Sequence, residues 1–155
     1  MLDLRTKDEK ARHVEIGAAA EHRAYRYMAE AKQYDVQVSF NRYSPVDAIV
    51  RADDATFAVD VKRIRMELFY QPGFHLKVDQ VRKLREAAER WRMRPLYFFM
   101  FSDGVGIWCP TDKALEGRTI HDRGPDPRQG GDHYRLSWSD VRIDPEWEKF
   151  WKRKI

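Results

Sequence analysis

Two aspartates and a lysine stand where a strand core would hold valine, in the stretch "PVDAIVRADDATFAVDVKR" from Pro45 to Arg63. Its apolar skeleton reads as two short strands joined by a turn, interrupted by Asp47, Asp60 and Lys62. Burying an unpaired carboxylate or ammonium is costly, so something must compensate for these charges. Side chains two apart on a strand share a face, so Asp60 and Lys62 project together while Phe57, Val59 and Val61 take the opposite face into the core. The hairpin can bring Asp47 beside Asp60. Carboxylates gathered in this way call for a cation. Hard oxygen ligands suit Mg²⁺, which keeps several waters and commonly recruits a phosphate oxygen, and Mn²⁺ is expected to substitute. On this reading Asp47, Asp60 and the carbonyl of Val61 hold the metal, which supplies an activated water and neutralises phosphate charge. Lys62 orients or helps deprotonate that water and stabilises the developing phosphorane. The chemistry is phosphodiester hydrolysis. A bare Asp-x-Lys also fits an ordinary ion pair on a solvated face; the apolar strand around each acid, the Pro-x-Asp that opens the hairpin and a glutamate, Glu21, misplaced on the apolar arc of the first helix argue against that.

The elements around the stretch must position it. From about Thr6 to Tyr34 a 100° periodicity gathers Val14, Gly17, Ala20, Ala24, Tyr25, Met28 and Ala31 on one side, which predicts an amphipathic helix. Glu21 projects from the middle of that apolar arc and so points inward, either completing the metal's shell or supporting a second ion. "VQVSFNR" from Val36, Val46–Val50 and Thr56–Ile64 read as strands, the last two as an antiparallel hairpin through "RADDA". A loop rich in aromatics follows, then a helix from about Lys77 to Trp91 with Val78, Val81, Leu84, Ala88 and Trp91 as its apolar stripe. "LYFFMF" is a buried strand and "GVGIWC" another. The segment from Pro110 to Arg135 turns to Gly, Pro, Asp and Arg and reads as a long irregular loop, with His121-Asp122 and Asp132-His133 as surface residues rather than zinc ligands. "DPEWEKFWKRKI" closes as a helix with Asp144 as N-cap and Pro145 at its first position. Trp147, Phe150 and Trp151 share one face of it and dock on the domain's own core or on a partner. The expected fold is α/β: a central mixed sheet flanked by helices, in the order α-β-β-β-α-β-β plus a C-terminal helix. One domain spans residues 1–155, with its core at about 6–109 and an extension over 110–155.

The chain carries 29 Lys and Arg against 25 Asp and Glu, a net charge of +4 that favours a polyanionic partner. The excess is concentrated: His75 to Arg94 holds seven basic and three acidic residues, as large a surplus as the whole chain's. The expected phosphate contacts are Arg42, Arg63, Arg65, Lys77, Arg82, Lys83, Arg90 and Arg94. Phe69 and Tyr70, in the loop after the acids, either stack on exposed bases or cover the sheet edge. Cys109 is a single cysteine, which excludes an internal disulfide framework, fits a reducing cytoplasm and reads as a small core residue. No apolar run approaches a membrane span, and "MLDLRTKDEKARH" lacks the apolar segment of a signal peptide.

"PVD" followed by "DVK" resembles the PD-(D/E)XK nuclease signature, with Asp60 where many members carry Glu. Gly17 and Glu21 resemble the Gly-x-x-x-Glu helix that opens the archaeal and phage-type Holliday-junction resolvases, and Ser44 matches the serine those enzymes carry before the first Asp. The resemblance covers roughly Glu15 to Trp108. It implies a restriction-endonuclease-like core and Mg²⁺-dependent cleavage of branched DNA by Glu21, Ser44, Asp47, Asp60 and Lys62. Resolution of a four-way junction requires paired nicks, and a homodimer matches the substrate's two-fold symmetry. Other readings are a different PD-(D/E)XK nuclease (nickase, restriction-like or repair enzyme) or a DNA-binding module that has lost catalysis.

Overall fold

The computed structural model describes residues 19–39, 44–64, 74–111, 119–120 and 132–153. Gly17, Arg42, Arg65, Phe69, Tyr70 and the His121-Asp122 pair lie outside the described residues. The first helix, α1, is α-helical over 19–26 and closes in a π-turn at Tyr27–Ala31, after which Gln33 adopts a left-handed φ of 57°. Strands β1 (Asp35–Val38), β2 (Ala48–Ala52) and β3 (Ala55–Ile64) form an antiparallel meander. The β2–β3 turn is tight, with Ala52 paired to Ala55 and Asp53 left-handed at φ 53°. After β4 (Phe74–Lys77), helix α2 (Val78–Arg90) carries the chain to β5 (Arg94–Phe101), which pairs in parallel with β3. Then come β6 (Gly106–Pro110), β7 (Thr119–Ile120), β8 (His133–Leu136), β9 (Arg142–Asp144) and α3 (Pro145–Arg153). The main sheet has the order β1-β2-β3-β5-β6-β9, and β4-β8-β7 form a second, antiparallel sheet. This is the expected mixed α/β architecture, a central mixed sheet flanked by helices.

Both faces of the main sheet are buried. Ala58, Tyr97 and Phe99 pack under α2 with Val81, Leu84 and Ala88. On the other face Val59, Val61, Phe98 and Met100 meet Ala24, Tyr27 and Met28 of α1 and Trp147 and Phe150 of α3. The near-continuous apolar run of β5 follows from this double burial. Gly106 is required by it: a Cβ there would stand 2.6 Å from the Trp147 ring.

Three features depart from the sequence reading. The Pro110–Arg135 segment is not wholly irregular, because β7 and β8 lie within it or at its end. Next, Tyr134 and Leu136 of β8 enter the α2-side core, and His133 is buried rather than at the surface. Short strands held by register to a partner give little periodicity to read. Trp147 and Phe150 dock on the domain's own core, the first of the two placements expected for that face, which leaves them unavailable as anchors for a partner chain. Finally, Trp91 leaves the apolar stripe because α2 ends at Arg90, and the indole is 70 % exposed.

Asp144 ties three elements together. Trp108 Nε1–H donates to its Oδ2 at 2.8 Å, the Glu146 amide donates to its Oδ1 at 3.0 Å, and Lys32 Nζ lies 3.4 Å from Oδ2. Burial pushes its carboxyl up, but the Trp108 hydrogen bond and the Lys32 charge outweigh that and hold it below the usual carboxylate range. The expected N-cap is therefore present, with a structural load added to it. Replacing Asp144 by Ala removes a cap and leaves the indole N–H unpartnered, so it should cost about 2–4 kcal/mol in urea denaturation.

Candidate active site

The hairpin brings the two aspartates together. At Asp47, just before β2, the amide donates to the carbonyl of Val59 at 2.9 Å while its carbonyl accepts from the Ser39 amide at 2.8 Å. The regular ladder stops there, and the Asp47 side chain takes the place of the missing strand. Its Oδ2 accepts the Val61 N–H at 2.8 Å, which pins the carboxylate against β3 beside Asp60. Asp60 shares its face of β3 with Ala58, whose neighbours under α2 are Tyr97 and Phe99. Only 7 % of Asp60 is exposed. Tyr97 pairs with it across the parallel ladder, and its hydroxyl lies beside the carboxylate without closing a hydrogen bond of normal geometry. Lys62, next on the same face, places Nζ 3.5 Å from Asp60 Oδ2 and is itself about one-third exposed.

The electrostatics are those of two acids crowded together. Burial raises the Asp60 carboxyl first, Lys62 partly opposes it, and Asp47 raises it further, so that it is pushed up to about 8. The folded chain therefore binds a proton on Asp60 that the unfolded chain releases above 3.8. Without metal, this contribution to stability is fully present below 3.8 and is lost as pH rises through about 8. The slope approaches about 1.4 kcal/mol per pH unit inside that window. In the presence of a chelator, the melting temperature should fall between pH 5 and 8. Asp60→Asn should flatten that fall, and thermal denaturation across the range measures both.

Glu21 stands beside this pair. It is half-buried on α1, and the Tyr25 hydroxyl donates to its Oε2 at 3.5 Å. Burial and the Asp47 charge raise its carboxyl, while Lys62 and the Tyr25 hydrogen bond lower it. Glu21 and Asp60 thus each feel the charges of Asp47 and Lys62. Among the described residues, however, no three acidic, histidine or cysteine side chains are arranged to hold a metal ion. Asp47 and Asp60 lie together on the hairpin, and Glu21 comes to them from α1. Two carboxylates and a backbone carbonyl, completed by waters, still fit a hard cation of the Mg²⁺ kind. A buried aspartate that keeps its proton chiefly because it is desolvated, and further because a second acid faces it, is the kind of site a cation would relieve.

The remaining expected residues are spread around this centre. The Ser44 hydroxyl accepts the Val46 N–H at 3.2 Å and shapes the turn that delivers Asp47. Arg63 is exposed, on the face of β3 opposite Lys62. Lys77 sits at the start of α2, where its position ends β4. Arg82 pairs with Asp79 one turn away, so its charge is largely answered locally. Lys83 and Arg90 are exposed and line one groove with Ser44. Arg94 does not join them. It belongs to β5, lies over the Phe57 ring at 5.5 Å, and lines a different recess with Lys32, Trp108 and Arg142. Arg85, inside the basic run, donates to the Thr111 carbonyl and serves the fold. Tyr97 is the neighbour that sequence reasoning missed. Only the strand register, which sets it against Asp60, could have revealed it.

Among the described residues no helix is long and apolar enough to cross a membrane. No family model and no curated protein matches the sequence. Solved structures do match the fold. The chain is similar to a Holliday junction resolvase from the archaeal hyperthermophile Archaeoglobus fulgidus, with a TM-score of 0.53 at 13 % identity, over 78 % of this chain and 88 % of that one. The likeness at this identity is one of architecture: the chain has the fold of an archaeal junction resolvase.

Proposed function

We propose that the chain is a metal-dependent DNA endonuclease of the PD-(D/E)XK type, acting on branched DNA and most of all on four-way junctions. One observation carries the reading. A sheet with the fold of a junction resolvase holds Asp47 and Asp60 together at the strand-to-hairpin junction, with Lys62 3.5 Å from Asp60. A buried carboxyl at Asp60, with Asp47 and Lys62 part-buried around it, serves no structural purpose that valine would not serve better. Asp47, Asp60 and the Val61 carbonyl would hold Mg²⁺ or Mn²⁺, which supplies Lewis-acid stabilisation and an acidified water when bound. Lys62 supports charge on the phosphate, and Glu21 adjusts the field at the pair from α1. Ser44 positions Asp47 through the turn it closes. Lys83 and Arg90 supply phosphate contacts, and the protein works in the cytoplasm on DNA.

The working unit in this reading is a homodimer, which offers two equivalent sites to a two-fold symmetric junction. The core position of Trp147 and Phe150 moves the interface elsewhere. Cleavage of a synthetic four-way junction in Mg²⁺, set against a linear duplex and a single strand, tests the reading. Preferred, chelator-sensitive cleavage of the junction by a particle of twice the 18.5 kDa chain mass is expected. Equal cleavage of linear duplex by a monomer would instead favour a nicking or repair nuclease.

A further inference from the structure

A groove of about 700 Å³ opens between the β1–β2 edge of the sheet and α2. One end is walled by Ser44, Pro45 and Val46, the residues that lead directly into Asp47. Ala58 also lines it, two positions before Asp60 on the same face of β3, about 7 Å along the strand. Lys83 and Arg90 line its α2 side, both exposed, and neither forms an ion pair among the described residues. Trp91 lines it too, with the indole 70 % exposed. The backbone fixes Trp91 there. Its amide donates to the Ala88 carbonyl at 3.2 Å, and Arg92 turns the chain away with a left-handed φ of 56°. The groove lining holds two bases and one acid, Glu86.

We infer that this groove holds unpaired nucleotides next to the phosphate at Asp47 and Asp60, with a base stacked on Trp91 and the backbone answered by Lys83 and Arg90. The inference rests on the nuclease reading for the position of the cut phosphate. It adds the state of the flanking strand. A base within a closed duplex is already stacked on both faces and offers an indole nothing, whereas an unpaired base has a free π-face. The spacing also suits a strand. The groove starts within about two backbone steps of Asp60, taking ~3.4 Å for each stacked step. Charge complementarity favours nucleic acid over a protein partner, since the exposed groups around the indole are chiefly cationic.

Fluorescence anisotropy with labelled DNA and a chelator present tests this apart from cleavage, using an oligothymidine and a blunt linear duplex as probes. Trp91→Ala should weaken oligothymidine binding about 5- to 100-fold, the range of one lost base stack. Trp91→Phe should recover most of that loss, and duplex binding should change less than about twofold. The double variant Lys83→Ala/Arg90→Ala should reduce the salt dependence on single strands by about 1.4 in log–log slope. Unchanged oligothymidine binding by Trp91→Ala, or an equal loss on both probes, would overturn the inference. So would a change in sedimentation mass with no change in DNA binding, which would make Trp91 part of a protein interface. Failure of the nuclease reading looks different: no substrate is cut in Mg²⁺, yet the Trp91 dependence of single-strand binding persists. Junction cleavage with no Trp91 dependence would overturn the groove assignment alone.

Discussion

Lys62→Ala should slow single-turnover cleavage about 10²- to 10⁴-fold while leaving divalent-metal affinity within a few-fold of wild type. The expectation follows from where the ammonium sits. Its Nζ is 3.5 Å from Asp60 and about one-third exposed, so it faces both the acid pair and the solvent side from which a phosphate would arrive. A cation there stabilises charge that grows on the phosphate during hydrolysis, and removing one such group costs on this scale. It is not a metal ligand, since an ammonium has no lone pair to give. Removing it also removes the charge that partly opposes protonation of Asp60. The variant should therefore need a higher pH to load metal, and metal titrations at two pH values separate that effect from the loss in rate.

Asp47→Asn should reduce cleavage about 10³-fold or more, on the scale reached by removing one essential catalytic group, while the fold stays intact. The side chain has two tasks. One oxygen accepts the Val61 N–H at 2.8 Å, and an asparagine carbonyl can still do so. The carboxylate charge that would bind a cation cannot be replaced in this way. Asp47→Ala should lose both functions, adding about 1–3 kcal/mol of destabilisation for the orphaned amide. Denaturant unfolding of the two variants distinguishes a chemical role from a structural one. Equal stability of the Asn and Ala variants would mean that the bond to Val61 contributes little.

Much of this site could be read in the chain, because the relevant signals were local. Strand parity put Asp60 and Lys62 on one face, and the short turn after Ala52 fixed the hairpin. Asp144 and Pro145 announced the start of α3 within two residues. What could not be read depended on distant partners. The register that sets Tyr97 against Asp60 joins strands separated by a whole crossover helix. Strands β4, β8 and β9 are short and become strands only through their pairing. Helical periodicity carried Trp91 into the core stripe because nothing local marks the end of α2 one residue before it. The Asp47 and Lys62 charges act on Glu21, but how closely it approaches them is set by the docking of α1 on the sheet, which no local signal reveals.

The most direct test is single-turnover cleavage of a four-way junction by wild type and Asp60→Asn, side by side at about pH 8 in Mg²⁺. This comparison isolates the buried carboxyl at the centre of the site, because asparagine keeps its shape and removes only its ability to ionise. Cleavage by the wild type and none above background by the variant are expected, with junction binding retained in both. Turnover by Asp60→Asn at the wild-type rate would contradict that expectation.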